Sequence, residues 1–346
     1  MKTKLRINRL ASPRLGPAVF HRIACVLSMI LPLLAVAAPV QAARMEQWLP
    51  NRVSEGLVAM PQLKPERKVG FMTPEGKTVI EPRFEAVRPF SEGLAAVRAK
   101  GKWGYIDRTG NFVIEPKFDA VGVLDYPGDD PMDFSEGCAA VRIGGRVGFI
   151  DKTGNFVVPA KFTSAWQFNG GVAASQDWVS GRWGFIDRRG GYVIKPQFRN
   201  AMSFSEGLAP VSNEDHGTEL GWGFIDTKGL FVISPAYTLA LNFHEGLALV
   251  LTMTNGAYDG KYIDRHDKAI SDNNCHGGNS FSQGLAPVSL KNYKHGYIDK
   301  TGKTVIAAAF EEARPFNENF AVVRLSSDEW GLIDLTGKVV LKRSVK

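Results

Sequence analysis

Cysteine is scarce in this sequence, with three residues in 346: Cys25, Cys138 and Cys275. No CxxC or HxxxH element accompanies them, so the ligand spacings of common zinc and redox motifs are missing. No phosphate-binding glycine loop is present, because the many glycines fall at turn positions between short apolar runs. No stretch sustains a helical period over a useful length. No apolar run reaches the roughly 20 residues that a membrane-spanning helix needs. The longest runs from Ile23 to Ala38 and has 16.

Acidic residues are absent from positions 1–42, whereas Lys2, Lys4, Arg6, Arg9, Arg14 and Arg22 all lie there. A basic start, a short apolar run and a small-x-small tripeptide (Val40-Gln41-Ala42) together read as a secretory signal peptide over 1–42, cleaved after Ala42. The expected location is therefore periplasmic or secreted, with no stable membrane span after cleavage. Removing the six basic residues from a formal charge of +7 leaves +1. A mature chain so close to neutral has no overall attraction for polyanions, which excludes nucleic acid as a partner on charge grounds. In an oxidising compartment Cys138 and Cys275 are chemically able to pair. They fall at different repeat positions, and Cys138 takes a slot that other copies fill with Leu, so it reads as a small core residue.

What the sequence has in abundance is one repeated unit. Phe90-Ser-Glu-Gly-Leu-Ala-Ala-Val-Arg98 leads into Lys102-Trp-Gly-Tyr-Ile-Asp-Arg-Thr-Gly-Asn-Phe-Val-Ile-Glu-Pro-Lys-Phe118, and the pattern recurs eight times. Its central glycine is Gly70, Gly104, Gly148, Gly184, Gly223, Gly296 and Gly331, with Lys261 in that slot of the sixth unit. Each unit contains three runs of strand character, bounded by Gly, Pro, Asn or Asp. In the second unit these are strand A at Leu94–Arg98, strand B at Trp103–Asp107 and strand C at Asn111–Ile114.

The repeated polar residues have local roles. Asp107-Arg-Thr-Gly110 suits a type I turn followed by a left-handed residue, with the Asp carboxylate accepting turn amides. Asp151, Asp187, Asp226, Asp264, Asp299 and Asp334 repeat it, and Thr73 replaces it in the first unit. Proline in Glu115-Pro-Lys-Phe118 lacks an amide donor, so it either ends the strand's pairing or sits at an edge. The Ser-Glu-Gly turn before strand A recurs at Glu55, Glu92, Glu136, Glu206 and Glu245, while Asn169 and Gln283 mark departures. Its Gly needs a positive φ, and its Glu is placed to bond neighbouring backbone. Trp103, Trp183, Trp222 and Trp330 precede the central Gly, with Val69, Val147 and His295 in their place elsewhere. Core packing between units is the favoured reading of these tryptophans, and sugar stacking is the alternative.

The Trp-Gly-[Phe/Tyr]-Ile-Asp core, the Val-Ile-x-Pro-x-Phe tail and the Phe-Ser-Glu-Gly-Leu-Ala-x-Val segment together resemble the bacterial WG-repeat (WG β-repeat) family. The resemblance covers 52–342 and implies a repeat fold, with no shared catalytic residues to carry over. The expected class is all-β, a tandem array of eight three-stranded antiparallel meanders. These form either a propeller-like ring or an open curved solenoid. The segment Phe118-Asp-Ala-Val121 and its equivalents are candidates for a short fourth strand. The layout is then a signal peptide at 1–42, an N-terminal segment at 43–51, the repeat domain at 52–342 and a tail at 343–346.

Candidate chemistry lies outside the repeated slots. Asp125-Tyr-Pro-Gly-Asp-Asp-Pro-Met-Asp133 holds four carboxylates, reading as a solvated acidic loop or a calcium ligand set. Cys275 and His276 are adjacent, with His266 nearby, but adjacent residues in extended chain point apart. His21, His216, His244 and His295 carry no further pattern. No catalytic, cofactor or metal residue is assigned. The function expected is a non-enzymatic binding scaffold of the cell envelope or extracellular space. It would present loops 122–133, 176–182, 212–221, 252–260 and 271–280 to a protein or envelope polymer. The alternatives are a carbohydrate- or peptidoglycan-binding module using exposed rings, including Trp166 and Trp178, and an envelope hydrolase with acids or histidines converging in a propeller channel.

Overall fold

The computed structural model describes residues 52–62, 68–119, 133–213, 221–254, 257–270, 277–289 and 294–344. The regular structure in these residues is β-strand, arranged in seven antiparallel sheets. Unit two shows the pattern. Strand A is Ala95–Ala99, strand B is Lys102–Ile106 and strand C is Phe112–Phe118. A and B pair from Ala95↔Ile106 to Ala99↔Lys102. Ahead of A lies a two-residue lead strand, Ala86–Val87, paired with Arg98 and Val97. This is the expected short fourth strand, and it recurs at Asn200–Ala201, Leu239–Ala240 and Glu312–Ala313.

The central glycine is explained by strand C. Trp103 pairs with Phe118 but Tyr105 already pairs with Ile114, so the Glu115-Pro116-Lys117 stretch bulges across Gly104. A Cβ on Gly104 would sit 2.5 Å from the Ile114 oxygen and 2.7 Å from the Pro116 nitrogen. No side chain fits at that distance. Gly70, Gly148, Gly184, Gly223 and Gly296 are held equally close to the backbone of their own strand C. Unit six supplies the converse. Lys261 pairs with Val250 in the glycine's register, and among the described residues strand C there shrinks to a single Ile263↔Ala269 bridge. Where the crossing backbone is lost, the glycine is not needed.

The count of sheets differs from the count of units for one reason. Strand C of unit three, Phe156–Ala165, does not stop after its Phe but continues as the lead strand of unit four. It pairs with strand B of unit three at Val158↔Phe149 and with strand A of unit four at Ser164↔Gln176. Two meanders thus share one six-stranded sheet, and seven sheets hold eight A-B units.

The core is built at the joints between units rather than inside them. Tyr105 of strand B packs on Phe134 of unit three with ring centroids 4.9 Å apart. Equivalent pairs occur at six more joints, among them Phe71–Phe90, Phe149–Phe168 and Tyr297–Phe316. The eighth joint closes the ring. Val53, Val58 and Met72 of unit one share a buried cluster with Val322, Trp330, Leu332 and Leu341 of unit eight. Asn317 Nδ2 also donates to the Val53 carbonyl oxygen across this joint. The array is a closed, propeller-like ring, and the open solenoid is excluded.

Candidate functional site

Strand A runs from the Ser-Glu-Gly turn to the A–B hairpin in every unit, so the closed ring has two different rims. One carries all Ser-Glu-Gly and B–C turns. The other carries the A–B hairpins that lie among the described residues.

The first rim is stitched from unit to unit. Glu92 has φ +53° and Gly93 +85°, the two left-handed residues of a type I′ hairpin turn. Glutamate costs about 1 kcal/mol in this conformation relative to an extended one. Its length supplies the compensation, because its carboxylate reaches the same turn of the next unit. Glu92 accepts the Gly137 amide, Glu55 accepts Gly93, Glu206 accepts Gly246 and Glu245 accepts Gly284. Glu318 accepts the Glu55 and Gly56 amides at 2.6 and 2.7 Å, closing the ring with the same device. Basic residues of the B–C turns add ion pairs at Arg108–Glu55, Lys152–Glu92, Arg188–Glu136 and Lys300–Glu245. Partial burial alone would raise the Glu136 pKa. Arg188 and the Gly170 and Gly171 amides outweigh it and hold the carboxyl below its ordinary value. The turn Ser also spans the joint, as Ser91 Oγ donates to the Phe134 carbonyl oxygen at 2.7 Å.

The B–C aspartates are occupied locally. Asp107 Oδ1 accepts the Thr109 and Asn111 amides and the Thr109 hydroxyl. Asp151, Asp299 and Asp334 repeat all three bonds. The Thr109 hydroxyl bond is the main cause holding the Asp107 carboxyl below its usual range.

The second rim varies from unit to unit. The A–B hairpin of unit four is a built turn. Asp177 Oδ2 accepts the Ser180 amide and hydroxyl, both at 2.8 Å, and the Val179 amide at 3.2 Å. The Ser180 amide bond is the largest cause of the lowered Asp177 pKa. Tyr192 donates to Asp177 Oδ1, and burial followed by this bond pushes the Tyr192 hydroxyl up to about 12. The tip carries Trp178, 48% exposed, and Val179, 91% exposed. Arg146 from the unit-three hairpin lies 4.7 Å over the Trp178 ring, and exposed Ile143 belongs to the same hairpin. In unit six the 252–260 stretch is mostly strand rather than loop. Ala248–Thr254 and Ala257–Ile263 pair out to Thr254↔Ala257, lifting exposed Met253 above the rim.

A third feature lies near the ring axis. Asp133 is 10% exposed and ion-paired to Arg88 at 2.7 Å and Arg52 at 3.3 Å. Arg52 belongs to unit one and Asp133 to unit three, so the contact skips a unit, which only groups near the axis can do. The Ser-Glu-Gly turn clasps one unit to the next, and the three residues fill the slots just before the Phe that leads into this clasp turn (Asp133, and Arg52 where Val53 replaces the Phe) and one earlier (Arg88). Comparing those slots across copies would have revealed opposite charges in adjacent units. The sequence expectations above missed this cluster.

Asp133 is thus engaged by two arginines and is not free to ligate calcium. Asp125, Asp129 and Asp130 lie outside the described residues, as do Cys275, His276, His216 and His21. Cys138 is a buried free thiol packed with Ala140, Phe149 and Phe162, the core role expected. His295 is buried in the Trp slot with Nδ1 3.0 Å from the Glu311 carbonyl oxygen, and His244 sits in a clasp turn. Burial is the main cause lowering both imidazole pKa values. Trp103, Trp222 and Trp330 are buried, and Trp183 packs against the joint of units four and five. Trp166 is not an exposed platform, because it is half-buried and its Nε1 donates to the Ala201 carbonyl oxygen. Of the two rings expected to be exposed, only Trp178 is. A cleft of about 350 Å³ lies at the closing joint, lined by Met60, Pro61, Glu81, Pro82, Trp330 and Arg343, among others. Among the described residues, no three His, Cys, Asp or Glu side chains converge as metal ligands.

Known proteins resemble this arrangement at two levels. By fold, the dihydro-heme d1 dehydrogenase NirN in complex with DHE aligns with a TM-score of 0.55 at 12% identity, over 86% of this chain and 75% of its own. A eukaryotic initiation factor gives 0.50 at 12%, over 83% and 95%. BamB from Moraxella catarrhalis gives 0.49 at 10%, over 75% and 88%. At such identities the likeness concerns the fold alone. No curated protein matches by sequence. The WG containing repeat family matches at residues 70–103, 103–126, 148–174, 183–215, 222–252 and 296–327, more than half the chain, and the chain belongs to that family.

Proposed function

We propose that this protein is a non-enzymatic binding scaffold of the cell envelope or extracellular space, which holds a protein or envelope polymer at its A–B rim. The observation that carries this reading is the unit-four hairpin. Beyond the Arg146 contact, a Trp-Val tip 48% and 91% exposed is costly to display and gains little for the fold, yet Asp177, Ser180 and Tyr192 fix it in one shape. A rigid aromatic and aliphatic pair with an arginine at its side has the composition of a binding hot spot. The ring beneath supplies a stiff base, as repeat folds do for their variable edges. The basic, apolar, small-residue order of 1–42 supports export with cleavage after Ala42, leaving 43–51 as a lead-in to a repeat domain at 52–342 and a short tail.

Site-specific photocrosslinking tests the rim. A photoreactive residue at Val179 is expected to capture a partner in intact cells, and one at Leu335, an exposed B–C turn residue on the opposite rim, is not. Equal capture at both positions, or none at 179, would overturn the assignment. Glycan binding is read separately: quenching of Trp178 fluorescence by an envelope polysaccharide, lost in Trp178→Phe, would identify the partner as a polymer. Amino-terminal sequencing of the exported protein is expected to begin at Ala43.

A further inference from the structure

The stitched rim has one open position. At six of the eight joints a glutamate carboxylate accepts a turn amide of the next unit, and at a seventh the Gln283 oxygen accepts the Asn319 amide at 2.9 Å. The joint between units four and five has neither, because Gly170 fills the glutamate slot. The receiving turn is nevertheless intact. Glu206 and Gly207 have φ +54° and +81°, as in every other copy, and both are exposed. Neither amide has an acceptor among the described residues. A side chain at Gly170 would itself start unobstructed, for a Cβ there would meet nothing within 4 Å.

The molecule itself shows what this turn recognises. The same two amides of unit one hold both oxygens of Glu318, and those of unit four hold Glu136. The accompanying cation is missing here too, since Thr227 stands where Arg108, Lys152, Arg188 and Lys300 stand in other B–C turns. The slot therefore has the donors for a carboxylate and no carboxylate of its own. We propose that the unit-five turn is a docking point for an acidic side chain of a partner polypeptide. A polypeptide is specified because two solvent-exposed amides alone hold a free anion weakly, water competing for each bond. Such a contact gains useful strength only as one point of a larger interface. This site lies on the rim opposite the Trp178 hairpin and is independent of the function proposed there.

The test is an amide NMR titration of the purified protein with a cyclised hairpin peptide bearing a Ser-Glu-Gly-Leu turn. A saturable shift is expected at Gly207 and Glu206, absent with the same peptide carrying Gln for Glu. Gly170→Glu, which adopts a conformation already used by six glutamates, is expected to abolish it by filling the slot from within. Thr227→Arg, at an exposed turn, is expected to tighten binding about fivefold, the value of an exposed ion pair. No saturable shift at Gly207, a shift undiminished in Gly170→Glu, or no gain from Thr227→Arg would overturn the proposal. Acetate giving the same saturation at the same concentration would do so as well, by assigning the slot to free carboxylates.

Discussion

The two rims of this ring are closed by the same strands, yet one repeats its side chains from unit to unit and the other does not. On the clasp rim the turns are joined to the next unit at seven of the eight joints, so a change in one copy disturbs two. On the hairpin rim the chain turns back on itself and, the Arg146 contact with Trp178 aside, leans little on its neighbours, so length and composition are free to vary. Unit three turns with Gly144-Gly145, unit four with a capped Trp-Val tip, and unit six with a lengthened ladder. The difference teaches that repetition marks joints and variation marks surface available for recognition.

Repeated slots therefore carry stability and variable ones do not. The largest effect is expected at the central glycine. Gly104→Ala forces a Cβ into the Ile114 carbonyl oxygen and is expected to lose about 3 kcal/mol in urea unfolding. Lys261→Ala, in the same slot of the unit without a crossing strand, is expected to stay within about 0.5 kcal/mol. A similar loss at both sites would break the account of the Trp-Gly pair. Next comes the clasp: Glu136→Ala removes bonds to two amides and Arg188, and is expected to cost about 1–2 kcal/mol.

The clasp also sets a pH dependence. The Glu136 and Glu245 carboxyls sit below their ordinary values. Their contribution is therefore complete above the unfolded carboxylate range and is lost as pH falls below about 4.3 and through the depressed native values. Thermal melts should show lower stability on acidification, and Glu136→Gln should flatten that slope; an unchanged slope would exclude Glu136 as a contributor. The smallest stability effect is expected on the hairpin rim. Trp178→Ser with Val179→Ser should leave the melting curve within about 0.5 kcal/mol while removing partner capture. A large loss of stability would mean that the tip is part of the core.

Much of this was legible in the sequence because the repeat states it eight times. The three strands, the aspartate turns, the positive φ of the turn glycines, the packing of Trp103 and Trp330 and the core role of Cys138 follow from local chemistry. What was not legible depends on the distance between units. A glutamate at positive φ reads as an error locally, and it makes sense only when the next unit's amides are in reach. The run-on strand through Thr163 and the meeting of Arg52, Arg88 and Asp133 depend on the ring's curvature, which no single copy encodes. Closure itself was undecidable from pattern, because an open array and a ring share the same unit. The Trp166 indole looked like a surface ring because its slot has no counterpart with Trp, and its bond to Ala201 crosses a joint.

The closing joint has a consequence for how the chain is threaded. Glu318 meets unit one as Glu55 meets unit two, so the boundary between last and first units is clasped like the others, with Val53 and Leu332 in place of their ring pair. The ring has no privileged starting point. A circular permutant that joins the end of the last strand at Ser344 to Arg52 by a short linker, and opens the chain between residues 213 and 221, should fold to the same ring. The backbone order would change while every joint kept its neighbours.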